Sequence, residues 1–205
     1  MNETKEKIIA VSLEAFSQKG YWAVSIRDIC KQVGIKESSV YYHFKNKQAI
    51  FDAILSRFQQ KANDMMGTLT SAMAADWQAA DQNFYRKVCN CFFEDYLMDD
   101  FCNKVMRLML IEQFHDQNVK EAYDSWMFTK PLAFQSGIFK VLMDRGLLPE
   151  ADPEYIAIQY YAPIFFFAQK WLLSGPLSDE NKNAFRKDAY RHIQCFFSQL
   201  GGKKG

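Results

Sequence analysis

Two tyrosines, a histidine and two lysines crowd into seven residues near the amino terminus, at Tyr41, Tyr42, His43, Lys45 and Lys47. The lysine ammonium groups could offer positive charge to phosphates, and the tyrosine hydroxyls could donate hydrogen bonds to them. Contacts of this kind set the register of a protein on a nucleic acid without reading its sequence. Each of these residue types, taken alone, more often serves packing, so the spacing of the whole set carries the interpretation.

Formal charge is divided unevenly along the chain. The whole sequence of 205 residues carries a net charge of +1. Its first 60 residues hold nine Lys or Arg and six Asp or Glu, a net charge of +3, so the remainder has a net charge of −2. Only the amino-terminal part therefore looks like a surface for a polyanion, and modestly so.

Other constellations that could do chemistry are incomplete. The five cysteines are irregularly spaced, and Cys89 and Cys91 would point to different faces of a helix, so neither disulfides nor a structural metal is expected. Glu112 and His115 have the spacing of half a di-iron site, but no second Glu-x-x-His pair exists. Phosphate-binding glycine loops, Gly-x-Ser-x-Gly and zinc helix motifs are also missing. We therefore expect no enzyme, no metal and no cofactor.

The elements that must position these residues are predicted to be helices. Apolar residues recur at spacings of three and four and no strand-like alternation persists, so the fold class is predicted as all-α, with about nine helices. A first helix is closed by Gly20, a second begins at Ser25 and ends at Gly34, and a third spans residues 38–44 before Asn46 caps a longer fourth. Two short helices joined by a tight turn that contains glycine are a helix-turn-helix.

Glycine, proline and acidic residues mark the later boundaries. Gly146 closes one helix, and the Asp-Pro-Glu sequence at 152–154 supplies the cap, the first-position proline and the first-turn acid of the next. Pro131 should break or kink the segment 119–145, because it lacks an amide proton. Residues 67–81 are small and polar and are expected to form a loop or a frayed helix end.

Taken together, the first four helices resemble the amino-terminal domain of the TetR family of transcriptional regulators. The residues that carry the resemblance are Ile9, Leu13, Phe16, Gly20, Ser25, Ile26, Ile29, Val33, Gly34, Val40, Tyr41, Tyr42, His43, Phe44, Lys45, Asn46, Lys47 and Ile50. The most specific element is a tyrosine, any residue, histidine and phenylalanine, followed closely by lysine. This part is about a quarter of the chain. The resemblance implies a helix-turn-helix DNA-binding domain over residues 1–48 and a helical ligand-sensing and dimerisation domain over residues 49–205.

The resemblance also implies which residues face double-stranded DNA. The predicted set is Ser25, Arg27, Lys36, Ser38, Ser39, Tyr41, Tyr42, His43, Lys45 and Lys47. Base reading is expected at the start of the recognition helix, around Lys36, Ser38 and Ser39, where such helices enter the major groove. Phe44 is assigned to the core. The chain departs from the family at Lys36, which cannot accept amide hydrogen bonds as a serine cap would, and at Glu37, which places negative charge near phosphates.

The last two predicted helices each present a continuous apolar face, which the resemblance assigns to a homodimer interface. The predicted contacts are Ile156, Tyr160, Ile164, Phe167, Trp171, Phe185, Ala189, Ile193, Phe196 and Leu200. The alternative is that these faces close the core of a single chain. A dimer would present two recognition helices to the half-sites of a palindromic operator, roughly 34 Å apart.

The middle of the chain is rich in aromatic and methionine side chains. Most must be core, yet methionines beside rigid rings also line adaptable apolar pockets. The resemblance implies such a pocket, predicted at Phe92, Tyr96, Met106, Met109, Gln113, Tyr123, Trp126, Met127, Phe134 and Phe166.

These observations predict a cytoplasmic DNA-binding regulator without a membrane segment, since the most apolar stretch, residues 156–173, is interrupted by polar residues and a proline. It would be a repressor that a small, largely apolar or aromatic effector releases from DNA. The alternative is a TetR-like DNA-binding protein whose carboxy-terminal body binds a protein partner instead of a small molecule.

Overall fold

A computed structural model describes the chain over residues 3–75 and 91–201. Across these two ranges the secondary structure consists of nine α-helices and three π-helical turns without any strand, which confirms the predicted all-α class. The chain divides into two compact units, Met1–Asp116 and Gln117–Gly205, each with buried apolar side chains of its own. Among the described helices, none combines the length and the apolar character needed to cross a membrane.

The first unit contains five of the helices. They are α1 (Glu3–Lys19), α2 (Ile26–Val33), α3 (Glu37–His43), α4 (Lys47–Ala75) and α5 (Asp100–Glu112), with a π-helical turn at Phe93–Leu97 before α5. Helix α1 packs against α2, α4 and α5, and α4 also contacts α5. The core that they share contains Ile8, Phe16, Ile29, Val40, Ile50, Ile54 and Phe58, which are fully buried. Helices α1, α2 and α3 therefore share one core with α4 and α5.

Local signals fix both ends of α2. The Ser25 hydroxyl oxygen accepts a hydrogen bond from the Asp28 amide (3.2 Å), and the Asp28 carboxylate accepts one from the Ser25 amide (2.9 Å). This reciprocal pair is a capping box, which satisfies amides that a helix start leaves free. Gly34 ends the helix with φ of 81°, a conformation that is costly for residues with a Cβ. The predicted cap and the predicted glycine turn are both confirmed.

Helix α3 begins one residue earlier than predicted, at Glu37, and spans seven residues. Lys36 occupies its N-cap position and makes no side-chain cap hydrogen bond there, as expected for a residue whose side chain has only donors. After α3, the Asn46 side-chain oxygen accepts a hydrogen bond from the Ala49 amide (2.9 Å), so the predicted cap of the fourth helix is confirmed.

Helix α4 is longer than the sequence indicated. It continues through residues 67–75, so the prediction of a loop is wrong for that stretch, and residues 76–81 lie outside the described residues. The hydroxyls of Thr68 and Thr70 donate to carbonyls one turn back, each at 2.9 Å, and Leu69 is buried. Small polar residues are thus accommodated within the helix because their hydroxyls bond to its own backbone.

The second unit is built on α8. It contains α6 (Gln117–Asp124), α7 (Lys130–Asp144), α8 (Pro153–Ala168) and α9 (Asp179–Gly201), with π-helical turns at Ser125–Thr129 and Gln169–Leu173. Helix α8 packs on both α7 and α9. Pro131 falls in the first turn of α7, directly after a π-helical turn. The backbone stays helical from 117 to 144, so the predicted break is wrong, and the kink offered as its alternative stays a prediction. The Asp152 carboxylate accepts from the amides at the start of α8, which confirms that cap.

Candidate nucleic-acid interface

Helix α3 has a buried side and an exposed side. Val40 is fully buried and Phe44, just after the helix, is 5% exposed, which confirms its assignment to the core. Tyr41 and Tyr42 face the other way, with exposed fractions of 51% and 83%. Burial of a large aromatic side chain normally stabilises a protein. Two tyrosines exposed to solvent on one short helix therefore indicate a surface that binds another molecule.

The predicted DNA-facing residues fall on α2, on α3 and on the segments that flank them. Most are exposed, namely Ser25, Arg27, Lys36, Ser38, Tyr41, Tyr42 and Lys45, whereas Ser39, His43 and Lys47 are half-buried. The His43 ring lies edge-on to the Tyr42 ring, with centroids 5.0 Å apart. Hydroxyls, an imidazole and cations are therefore brought together around one helix-turn-helix, as the chemistry of phosphate and base-edge contacts requires.

Lys47 differs from the rest of the set, because its ammonium is turned toward the protein. It donates to the carbonyls of Tyr21 and Val24, each at 2.8 Å, and lies 4.0 Å from the centre of the Tyr21 ring. Burial lowers the pKa of Lys47, and the negative charge of Glu112 partly opposes that shift. Lys47 thus braces the loop between α1 and α2, and its predicted phosphate contact stays a prediction.

Ser25 is also engaged within the protein. Besides accepting from the Asp28 amide, its hydroxyl donates to the Asp28 carboxylate at 2.6 Å. These hydrogen bonds from Ser25 lower the pKa of Asp28. The hydroxyl therefore holds the start of α2 in place, where the exposed Arg27 follows two residues later.

One exposed aromatic residue beside this surface was missed by the sequence reasoning. Trp22 is 70% exposed in the α1–α2 loop, and its ring centre lies 5.9 Å from the Lys47 ammonium. Trp22 lies in a loop between two helices and belongs to no apolar stripe with helical spacing, so the periodicity of the sequence does not reveal it. A tryptophan placed between a closing glycine and a capping serine is the signal that could have found it.

The predicted pocket residues of the first unit are packed in its interior. Tyr96 is 2% exposed, and its ring lies 5.7 Å from that of Phe92 and 5.8 Å from that of Phe58. Met106 and Met109 are fully buried on α5. Gln113, directly after α5, is half-buried and donates to the carbonyl of Leu110 at 3.0 Å. These side chains place aromatic and thioether groups around α5.

The predicted pocket residues of the second unit are more varied in environment. Tyr123, Trp126 and Met127 are buried, Phe134 is half-buried, and Phe166 is 59% exposed. The Lys130 ammonium lies 3.5 Å from the centre of the Trp126 ring. The carbonyl of Met127, within a π-helical turn, accepts a hydrogen bond from the Tyr161 hydroxyl at 2.8 Å. Burial raises the pKa of that hydroxyl, so it remains a donor.

The faces predicted to form a dimer interface are largely covered within one chain. Ile156, Tyr160, Ile164, Phe185, Ala189, Ile193 and Phe196 are all buried, and Phe167, Trp171 and Leu200 are half-buried. Their stripes close the core where α8 packs on α7 and α9, which was the alternative interpretation. The exposed apolar residues of α8 lie on another face, at Tyr155, Ile158 and Phe166, with exposed fractions of 57%, 47% and 59%.

Glu112 and His115, which have the spacing of half a di-iron site, lie in different environments. Glu112 is buried and accepts a hydrogen bond from the Tyr21 amide, whereas His115 is exposed. Within the described part of the chain, no group of three or more His, Cys, Asp or Glu side chains is arranged to hold a metal ion. Cys89 lies outside the described residues.

An exposed hydroxyl-rich and basic ridge on a helix-turn-helix defines a DNA-binding module. The family profile of bacterial regulatory proteins, tetR family, matches residues 8–54. IcaR of Staphylococcus epidermidis, the HTH-type negative transcriptional regulator of the biofilm operon icaADBC, is 47% identical over an alignment of 220 positions that covers 95% of this chain and 100% of IcaR. The chain therefore belongs to the TetR family of DNA-binding transcriptional regulators.

Other similarities are shorter or more distant. A match to the uncharacterized regulator YerO of Bacillus subtilis is 44% identical over 50 residues and spans 24% of this chain and 17% of YerO. A TetR-family regulator from Mesorhizobium loti has a TM-score of 0.69 and 22% identity, with 96% of both chains covered. The SmeT–triclosan complex has a TM-score of 0.67 and 20% identity, covering 95% of this chain and 91% of SmeT. At these identities the two structures show the shared fold alone.

Proposed function

We propose that the chain is a repressor that binds a palindromic operator as a homodimer and is released by a small, largely apolar or aromatic effector. The observation that carries the DNA-binding part is α3, whose Tyr41 and Tyr42 are exposed while Val40 and Phe44 pack inward. The similarity to IcaR, a negative regulator by name, supports repression as the sign of regulation.

The size of α3 argues for two copies on DNA. Seven residues at about 1.5 Å rise span only about 10 Å, which reaches the edges of only a few base pairs. Two copies on half-sites about one helical turn apart would double the contacts and fix their spacing. Of the exposed cations, Arg27 and Lys45 would supply charge to phosphates, and Ser38 and Ser39 at the start of α3 would face base edges.

The surface proposed for the second copy is the exposed stripe of α8. Tyr155, Ile158, Ala162 and Phe166 are exposed at spacings of three, four and four, so they share one side of the helix. This stripe is offered in place of the residues that already close the core of one chain. A large apolar stripe left open to water is typical of a surface that another molecule covers.

The class of effector is proposed from residue types that each unit holds in its own interior. Met106 and Met109 are buried in the first unit, Tyr123, Trp126 and Met127 are buried in the second, and all five are apolar or aromatic with few polar atoms. Side chains of this kind suit ligands that are themselves apolar or aromatic. The SmeT structure was determined with triclosan, a small molecule, and that neighbour supports the proposal of a small-molecule effector.

A footprint on the DNA beside the protein's own gene tests the DNA-binding part. We expect protection of two symmetric half-sites by the purified protein, with an affinity that falls steeply as salt rises. A complete lack of salt-sensitive association with duplex DNA would refute the proposal.

The effector part is tested by melting the protein with a library of small lipophilic and aromatic compounds. We expect a compound that raises the Tm to lower operator affinity, by between about fivefold and a hundredfold. If no compound changes either quantity and a protein from the native host is retained on the immobilised chain and releases it from DNA, the alternative with a protein partner replaces this one.

A further inference from the structure

A buried carboxylate at the end of α5 contacts the loop between α1 and α2. Glu112 is 3% exposed, and its Oε1 atom accepts a hydrogen bond from the Tyr21 backbone amide at 2.7 Å, between residues 91 positions apart. A carboxylate withdrawn from water is costly unless it is hydrogen-bonded or paired. Neither the DNA-facing ridge nor the predicted effector pocket uses Glu112, so its position calls for a separate explanation.

The loop is shaped to admit this carboxylate. Gly20 has φ of 82°, and a Cβ atom at that position would lie 2.9 Å from Glu112 Oε1 and 3.4 Å from Ile111 Cγ2. Glycine is therefore required at position 20 for two reasons, the positive φ angle of the backbone and the close approach of α5. Its amide also donates to the Phe16 carbonyl at 2.9 Å, so the same residue ends α1.

Lys47 holds the same loop from the start of α4. Its ammonium binds the Tyr21 and Val24 carbonyls, while Glu112 binds the Tyr21 amide. The Tyr21 amide is thus hydrogen-bonded to a carboxylate of α5, and the Tyr21 carbonyl to an ammonium at the start of α4. Val24 is followed directly by Ser25, which caps α2, so these hydrogen bonds fix the point at which the helix-turn-helix begins.

We propose that Glu112 is a positioning residue for DNA recognition, which sets the placement of α2 and α3 by holding the α1–α2 loop against α5. The inference goes beyond the proposed function and rests on its DNA-binding part. Helix α5 also carries Met106 and Met109 from the predicted effector pocket, and Glu112 follows Met109 by three residues. A shift of α5 would consequently reach the start of the helix-turn-helix through this hydrogen bond, in addition to the packing of α5 on α1.

The ion pairs of α5 are of a different kind. Lys104 pairs with Glu14 of α1 at 2.6 Å and, within α5, with Asp100 at 2.7 Å, and Lys61 of α4 pairs at 2.7 Å with Asp99, the N-cap residue of α5. The side chains of these pairs are between 27% and 72% exposed. Exposed ion pairs adapt to small shifts and contribute little, since water and salt screen them. Removing Glu112 instead leaves a peptide amide without its acceptor.

The test compares Glu112→Ala with Glu112→Gln, whose side-chain carbonyl can still accept from the Tyr21 amide. Affinities for operator and for unrelated DNA are measured by fluorescence anisotropy at one salt concentration. We expect Glu112→Ala to weaken operator binding about tenfold, which is about 1.4 kcal/mol, and unrelated DNA by less than about twofold. Glu112→Gln should recover operator affinity to within about threefold of wild type. Lys104→Gln, which breaks the exposed pairs on the same helix, is the matched control and should change it by less than about twofold.

Amide hydrogen exchange supplies a readout that a loss of stability alone does not move. We expect the Tyr21 amide to exchange at least about tenfold faster in Glu112→Ala than in Glu112→Gln, while the amides within α1 keep their protection. Gly20→Ala should weaken operator binding in wild type and should cost less in the Glu112→Ala background, because the methyl group then has no carboxylate to meet. If Glu112→Ala does not fold, Glu112→Asp takes its place, since it keeps the charge but withdraws the carboxylate by one methylene.

Two outcomes separate this proposal from the one before it. If wild type does not bind duplex DNA, the proposed function fails. If wild type binds and the Glu112 variants keep the wild-type ratio of operator to unrelated-DNA affinity while the Tyr21 amide is released, Glu112 has only a structural role and this inference is overturned.

Discussion

Lys45 and Lys47 stand two residues apart and have different surroundings. Lys45 is exposed beyond the end of α3, whereas the Lys47 ammonium is shared between two carbonyls and the Tyr21 ring. A cation that is free to meet a phosphate contributes to binding through the counterions that it displaces. A cation that holds a loop contributes through the folded structure. The same substitution should therefore have different consequences at the two positions.

Lys45→Ala should weaken binding to every DNA sequence and reduce the slope of log affinity against log salt by about one unit, because one phosphate contact is lost. Its Tm should stay close to that of wild type. Lys47→Ala should lower the Tm, since two carbonyls of the α1–α2 loop lose their donor. Anisotropy titrations at several salt concentrations and thermal melts measure these quantities. Equal salt slopes for wild type and Lys45→Ala would contradict the phosphate role of Lys45.

The cysteine thiols should differ sharply in reactivity. Cys102 is fully buried on α5, and burial, reinforced by the charge of Asp99, raises its pKa to about 12. The thiolate is the reactive form, so Cys102 should remain unmodified by iodoacetamide at pH 8 in the folded protein. Cys195 on α9 is exposed and serves as the internal control. Peptide mass spectrometry after brief labelling measures both, and comparable labelling of the two would contradict the burial of Cys102.

At the scale of the elements, α2 depends on its two ends more than on its length. It has only eight residues, and isolated helices of that size are unstable in water. The Ser25–Asp28 capping box and Gly34 therefore determine where it begins and ends, and its buried Ile29 and Val33 hold it on the core.

Ser25→Ala should lower the free energy of unfolding by about 1 kcal/mol, because the Asp28 amide loses its acceptor. Ser38→Ala is the matched control, since Ser38 is exposed near the start of α3 and does not occupy the N-cap. It should change stability by less than about 0.5 kcal/mol. Urea unfolding followed by circular dichroism measures both variants. A loss for Ser38→Ala equal to that for Ser25→Ala would show that the cap is not what stabilises α2.

The elements also show which features a sequence can reveal. Caps and glycine turns are local, so Ser25, Gly34 and Asp152 could be assigned from their neighbours in the chain. The continuation of α4 past Gly67 could not, because it depends on the burial of Leu69 and on backbone hydrogen bonds of threonine hydroxyls. The partner of Glu112 lies 91 residues away, and no local pattern records it.

At the scale of the whole molecule, periodicity identified apolar faces but not what covers them. The apolar faces of α8 and α9, which contain Ile164 and Phe185, are both present in the structure, and both are buried within one chain. An apolar face on a helix looks the same in a sequence whether its neighbour belongs to the same chain or to a second copy. The exposure of Phe166, by contrast, could be recognised only after α8 had been placed on α7 and α9.

Phe166→Asp should convert the proposed dimer to a monomer, because it places a charge in the stripe proposed to meet a second copy. Operator affinity should fall with it, since the two half-sites would no longer be bound together. Leu147→Asp is the control, because Leu147 is 56% exposed between α7 and α8 and lies outside the stripe. Sedimentation velocity gives the oligomeric state of each variant. A dimer that survives Phe166→Asp but not Leu147→Asp would place the interface elsewhere.

The length of α4 has a mechanical consequence. It runs without interruption for 29 residues, and at about 1.5 Å per residue it forms a rod about 43 Å long. A rod of that length amplifies rotation, so a tilt of about 5° about one end would swing the other end by about 4 Å. This swing exceeds the rise of about 3.4 Å between neighbouring base pairs. A small tilt of α4 about its carboxy-terminal end would therefore be enough to move α2 and α3, which lie near its amino-terminal end, by about one base pair relative to the DNA groove.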